Sequence, residues 1–181
     1  MKTIKIYCDG GSRNGNGSKE NYGSVASLIK LNENSSDNYD NIIRKGFKDV
    51  TNNQMELLGF ILPLSFLNKT MKNENLKIIV YSDSQYLTKG INNWLPNWIK
   101  KNWKTASNTP VKNNELWKII NYYLSKPNYN YEINWIKGHN GHPLNEEVDS
   151  FCTKTIQEMD RSERVPEDFN YIIDLVQKNI K

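Results

Sequence analysis

The segment Lys77–Ser82, KIIVYS, is a short, nearly unbroken apolar run that stops at Asp83. A strand without a polar face is buried on both sides, as a central parallel strand of an α/β sheet is. The rest of the chain must therefore supply layers to cover it. Thr3–Asp9 alternates instead, with Ile4, Ile6 and Cys8 on one face and Lys5, Tyr7 and Asp9 on the other. That pattern predicts a half-buried strand ending at Asp9, with Gly10–Gly11 as a turn and Gly10–Gly17 as a loop. Tyr22–Leu31 and Ile42–Val50 are two more strands around a polar hairpin tip at Asn32–Asn41, giving an antiparallel meander.

Helical periods follow. Thr51-Asn52 caps a helix expected over Asn53–Leu67, with Met55, Leu58, Ile61, Leu62 and Phe66 in step. Pro63 falls inside it and should kink or shorten it. Short helices are expected at Ser84–Asn92 and Trp94–Trp103, and a longer one at Lys112–Leu124. A last strand is expected at Tyr131–Ile136 and a helix at Leu144–Met159. The order βββ-α-β-α-β-α predicts an α/β fold, a mixed five-stranded sheet flanked by helices. Residues 1–160 form the main domain. Beyond Asp160 a charged linker with Pro166 leads to an amphipathic helix, Phe169–Ile180, expected to pack on that domain.

Composition narrows the classes. A chain of 181 residues with 37% hydrophobic and 24% charged residues has enough apolar material for a core. It has no run of about 18 apolar residues to span a membrane, and its first residues read as a strand rather than a signal peptide. A cytoplasmic location, no membrane partner and a monomer are expected. Cys8 and Cys152 read as buried free thiols, without a CxxC zinc pattern. Net charge is only +4, but Ser84–Asn114 holds no acidic residue and carries Lys89, Lys100, Lys101, Lys104 and Lys112. Such a stripe suits a phosphate backbone, although charge alone fits a solvated helix face equally well.

Four acids stand where backbone geometry can bring them together: Asp9 and Asp83 at strand ends, Glu56 in a first helical turn, and Asp149 on the helix after the last strand. Singly, each also reads as a cap or a helix-end charge. Converging, they repel unless cations neutralise them. Hard oxygen donors favour Mg²⁺ or Mn²⁺, and two such ions about 4 Å apart are a known clamp for phosphodiester hydrolysis. His139 lies between Gly138 and Gly141, in a loop where it can take a proton near neutral pH. His142, beside Pro143, reads as part of the helix start.

The segments Asp9-Gly10-Gly11-Ser12, Thr51 to Leu57 (TNNQMEL), Ser82-Asp83-Ser84-Gln85-Tyr86 and Gly138 to Pro143 with Asn145 to Asp149 resemble type 1 ribonuclease H, in order and spacing, over roughly residues 1–158. The stretch Gly90-Ile91 through Leu116-Trp117 resembles the basic handle of cellular and bacterial members. The resemblance implies a ribonuclease H-like fold and cleavage of the RNA strand of RNA–DNA hybrids with two Mg²⁺ ions, Mn²⁺ being a possible substitute. It implies that Asp9, Glu56, Asp83 and Asp149 hold the metals, Asp9 bridging both, and that His139 assists proton transfer or product release. It implies hybrid contacts at Gly10, Gly11, Ser12, Asn16, Thr51, Asn52, Gln85, Trp94, Trp98, Lys100, Lys101, Lys104 and Asn145. At least one of Trp94, Trp98 and Trp103 is expected only to pack the handle.

The family's Gly-Asn-Pro-Gly loop here reads Asn14-Gly15-Asn16-Gly17, and either asparagine can fill the family position. Another nuclease or integrase on the same fold, an inactive hybrid-binding module and a detached reverse-transcriptase domain are the competing readings. The four carboxylates, the His139 loop and the handle weigh against them.

Overall fold

The computed structural model describes residues 1–13, 19–31 and 39–181. Strands β1 (Lys2–Ser12), β2 (Tyr22–Lys30), β3 (Asn41–Lys48), β4 (Leu76–Ser82) and β5 (Tyr129–Trp135) form one sheet in the order β3-β2-β1-β4-β5. The β1–β2 and β2–β3 pairs are antiparallel; β1–β4 and β4–β5 are parallel. This is the mixed sheet expected, with β4 inside it. Helix α1 (Asn52–Thr70) packs across β1 and β2 and against α4 (Asn114–Leu124), while α5 (Pro143–Asp160) covers the opposite face. Between β4 and α4 lie α2 (Gln85–Lys89), a π-helical turn (Gly90–Trp94) and α3 (Leu95–Lys100); α6 (Phe169–Lys178) closes the chain. Among the described residues no helix is long and apolar enough to cross a membrane.

Strand β1 corrects the sequence reading twice. It does not end at Asp9: Gly10, Gly11 and Ser12 stay in register with Val25, Ser24 and Gly23. Gly10 is there for space. A Cβ on it would lie 2.2 Å from the Met55 carbonyl oxygen, so α1 can cross β1 this closely only over a glycine. Nor is β1 half-buried. Ile4, Ile6 and Cys8 enter the main core under α1, and Tyr7 is buried under α5 with Ala26, Leu28, Val148 and Cys152. The alternating pattern understated burial because a tyrosine fills a nonpolar position on the second face.

Pro63 neither breaks nor shortens α1, which runs past it to Thr70. A proline at 63 leaves the carbonyl of Gly59, four residues earlier, without its helical donor. The buried Ser27 hydroxyl of β2 donates to that carbonyl at 2.6 Å. The sheet thus supplies the bond that the helix lost. At its other end α1 is closed by a capping box between Thr51 and Gln54.

The segment after α5 is tied to the main body. Arg164 pairs with Glu158, Lys45 pairs with Glu167, and the Glu167 amide donates to the Gly46 carbonyl on the outer edge of β3. Phe169 meets Phe47 edge-on, and Ile172, Ile173 and Val176 join the core.

Removing the Ser27 hydroxyl should strand a buried carbonyl and destabilise the fold by about 1–3 kcal/mol. Pro63→Ala restores a helical donor, so Ser27→Ala should cost much less in that background, measured by urea denaturation. Equal costs in both backgrounds would show that Ser27 does not replace the missing helical bond.

Candidate active site

Asp9 leaves β1 just past Tyr7, where the parallel pairing with β4 ends. Asp83 follows the last residue of β4. Glu56 sits in α1 beside the crossing over Gly10. That crossing is fixed from both sides, since a Cβ on Gly59 would lie 2.7 Å from the Asp9 carbonyl oxygen. Asp149 reaches the same place from α5. The four carboxylates line one open cleft of about 420 Å³, with Gly10, Gly11, Ser12, Asn52 and Cys152 among its walls.

Their charges are not neutralised by the protein. Among the described residues no lysine or arginine forms an ion pair with any of the four; Asp149 meets only His139, with Nδ1 3.9 Å from Oδ2. Burial, then repulsion from Asp83 and Asp149, pushes the Asp9 carboxyl from its ordinary 3.8 up to about 8, although the Gly10 amide donates to it at 2.8 Å. Burial followed by Asp149 also raises Asp83. Burial raises Glu56 too, against two hydrogen bonds that favour its charged form. The Asn52 amide donates to Oε1 at 2.9 Å and the Ser84 hydroxyl to Oε2 at 2.5 Å.

Among the described residues no three Asp, Glu, His or Cys side chains close on one point as ligands. The donor set nevertheless fits divalent cations of the Mg²⁺ type. Such ions are held by one or two carboxylates, with water and phosphate oxygens completing the shell, rather than by an all-protein cage. Cys152 is no competing soft ligand, because burial drives its thiol well above the ordinary range and keeps it protonated.

The remaining predicted residues divide. Gly11 and Ser12 are part-exposed on the cleft wall, and the Ser12 amide donates to Asn52 at 3.3 Å. Thr51, Asn52 and Gln85 are exposed. His139 is open, its side chain 82% exposed, on a left-handed backbone. Asn16 and its alternative Asn14 lie outside the described residues. Two further candidates are closed to solvent. Asn145 is buried, on the face of α5 that also carries Val148 and Cys152, so it offers no open contact surface. Gly10 is buried and lines the cleft by backbone alone.

Two residues that sequence reading passed over act here. Ser84 is the N-cap of α2, accepting from the Leu87 amide, and also holds Glu56. The sequence had suggested Asp83 as that cap. Trp135 at the end of β5 donates its indole N–H to the Asp83 carbonyl at 3.0 Å. The Ser after Asp83 was a legible cap signal; nothing in the pattern of β5 marked Trp135.

In the handle, Lys100, Lys101 and Lys104 are exposed. Helix α3 ends at Lys100 because Asn102 and Trp103 take left-handed backbone. Trp117 is the buried centre. Trp98 meets it edge-on at 5.2 Å and Tyr86 at 5.5 Å, and its indole donates to the Tyr86 hydroxyl. Trp94 lies tilted against Trp98 on its outer side and stays 38% exposed. Trp103 packs against the core under Lys118.

The raised Asp9 predicts a pH effect in metal-free protein. Its folded form holds a proton more tightly than the unfolded chain, so its contribution to stability is lost as pH rises from about 4 to about 8. In EDTA at pH 8, Asp9→Asn should melt higher than the parent by a few degrees, about the effect of 1–2 kcal/mol in a chain of this size. At pH 4 the two should converge. A difference independent of pH would contradict the raised carboxyl.

The family model described as RNase H matches residues 1–157. The ribonuclease H of Hahella chejuensis (strain KCTC 2396) is 37% identical over 158 residues, spanning 87% of this chain and 96% of its own. That of Pseudoalteromonas atlantica (strain T6c / ATCC BAA-1087) is 40% identical over 149 residues, 82% of this chain and 87% of its own. The solved structure of LC9-RNase H1, a type 1 RNase H with the type 2 active-site motif, shares the fold with a TM-score of 0.66 at 23% identity, over 87% of this chain and 73% of that one. The chain belongs to the ribonuclease H family of endoribonucleases.

Proposed function

We propose that this protein hydrolyses the RNA strand of RNA–DNA hybrids with two divalent cations, Mg²⁺ or Mn²⁺ in its place, and leaves 5′-phosphate and 3′-hydroxyl ends. The observation that carries this reading is the cleft of four carboxylates, none of them ion-paired to a lysine or arginine among the described residues, since Arg13 on the cleft wall is taken by Asp160, in a chain of this family. The cations would supply the charge that activates water and stabilises the departing oxygen. Asp9, buried between Asp83 and Asp149, whose charges both raise it, would hold both cations, with Asp149 on the water side and Glu56 and Asp83 on the leaving side. Water adds to phosphorus, the bond to the 3′-oxygen breaks, and that oxygen takes up a proton. His139, exposed and beside Asp149, is placed to move protons there.

Hybrid recognition needs a reader of the 2′-hydroxyl. Asn52 on the cleft wall and Gln85, two residues past Asp83, are exposed and are the proposed readers, with Thr51 on a DNA phosphate. Trp94, Lys100, Lys101 and Lys104 would hold the DNA strand, mostly through salt-sensitive phosphate contact. Residues 1–160 form the catalytic domain in this reading, and 161–181 brace the free edge of β3.

Asp9→Asn should abolish hybrid cleavage while filter-binding still detects the hybrid; full activity would overturn the metal assignment. Charge reversal at Lys100 and Lys101 should weaken hybrid binding at least tenfold at moderate salt and flatten its salt dependence. Unchanged binding would make the basic stripe a solvated face.

A further inference from the structure

The peptide that joins Asp83 to Ser84 carries two parts of the site at once. Asp83 presents one carboxylate, and Ser84 holds Glu56 through its hydroxyl. Yet this peptide lies just beyond the sheet. The last rung between β4 and β5 is the Ile136 amide on the Ser82 carbonyl. After it, the peptide's two polar groups are bonded to side chains. The Ser84 amide donates to the Ser82 hydroxyl at 3.1 Å, and the Asp83 carbonyl accepts from the Trp135 indole at 3.0 Å.

Trp135 is poorly explained by packing. It is 47% exposed, more open than Trp94 at 38%, whereas Trp117 is fully buried. An aromatic ring left half in water contributes little to a core. What distinguishes its position is the bond to Asp83, and Gly138 closes the other side. A Cβ there would stand 2.8 Å from Asp83 Oδ2, so the loop from Trp135 to His139 lies directly against that carboxylate.

We propose that Trp135 is a positioning residue for the leaving-side carboxylates. Its indole adds one side-chain rung where the β4–β5 ladder stops, and so fixes the 83–84 peptide and, through Ser84, Glu56. A carbonyl without this donor can turn toward water and swing Asp83 and Ser84 together. The consequence for cleavage rests on the proposed hybrid nuclease activity; the consequence for the peptide does not.

Trp135→Phe keeps most of the ring and removes only the donor. In the parent, proton NMR should show one slowly exchanging indole N–H that this variant deletes, and the Ser84 amide should exchange at least tenfold faster in the variant. With hybrid substrate, kcat should fall on the order of tenfold, within the hundredfold that a 1 Å misplacement can cost. KM should change less than twofold, and the Mg²⁺ concentration for half-activity should rise. Trp135→His, which retains a ring N–H, should recover part of the kcat. Unchanged Ser84 exchange would overturn the proposal whatever the activity. A raised KM with kcat intact would also overturn it, making Trp135 a substrate contact instead. If the parent fails to cut hybrids, the function reading fails alone, and the exchange data still decide the role of Trp135.

Discussion

The crossing of α1 over β1 is the contact on which the site depends. Two elements pass at backbone distance, and each yields a side chain to do so: Gly10 under the Met55 carbonyl, and Gly59 over the Asp9 carbonyl. A larger residue on either side would force the helix outward and carry Glu56 away from Asp9. The same helix tolerates Pro63 because Ser27, one strand further, donates to the carbonyl that the proline leaves open. Helix and sheet are thus joined by hydrogen bonding as well as by apolar burial. The rigid angle between them is what lets residues 47 positions apart in sequence share a cleft.

Electrostatics then makes that cleft unusual for a folded protein. Acids buried together raise one another, and Asp9, the most constrained, is raised furthest. The protein answers with hydrogen bonds from Gly10, Asn52 and Ser84 and with no lysine or arginine ion pair among the described residues. Lys100, Lys101 and Lys104 of the handle stand in solvent, and Arg13 on the cleft wall is held by Asp160, so the acids of the cleft keep their charges unpaired by lysine or arginine among the described residues.

Much of this was legible in the chain. The order of elements along the chain, the mixed sheet and the acids at the ends of its elements follow from periodicity, because apolar spacing encodes which face is covered. What was not legible depended on three-dimensional crowding. Gly10 looks like a turn in sequence, since a glycine needed for close approach and one needed for backbone freedom are the same letter. Pro63 looks like a breaker, since its rescue comes from Ser27, 36 residues earlier. Tyr7 looks solvent-facing until α5 covers it. Asn145 sits among motif residues, but its helical phase turns it inward. Trp135 carries no local signal at all, because its partner is a main-chain carbonyl just past the end of the neighbouring strand. The tail beyond the family match was read as packing on the main body, and Ile172, Ile173 and Val176 do lie in the core.

A hybrid nuclease of the proposed kind cuts RNA only opposite DNA, and only with divalent cations. The direct measurement is cleavage of an end-labelled RNA–DNA hybrid, run beside RNA–RNA and DNA–DNA duplexes of the same sequence, with Mg²⁺ and with EDTA. The expected result is cutting of the RNA strand of the hybrid alone, abolished by EDTA. Cutting of either other duplex, or hybrid cutting that persists in EDTA, would contradict it.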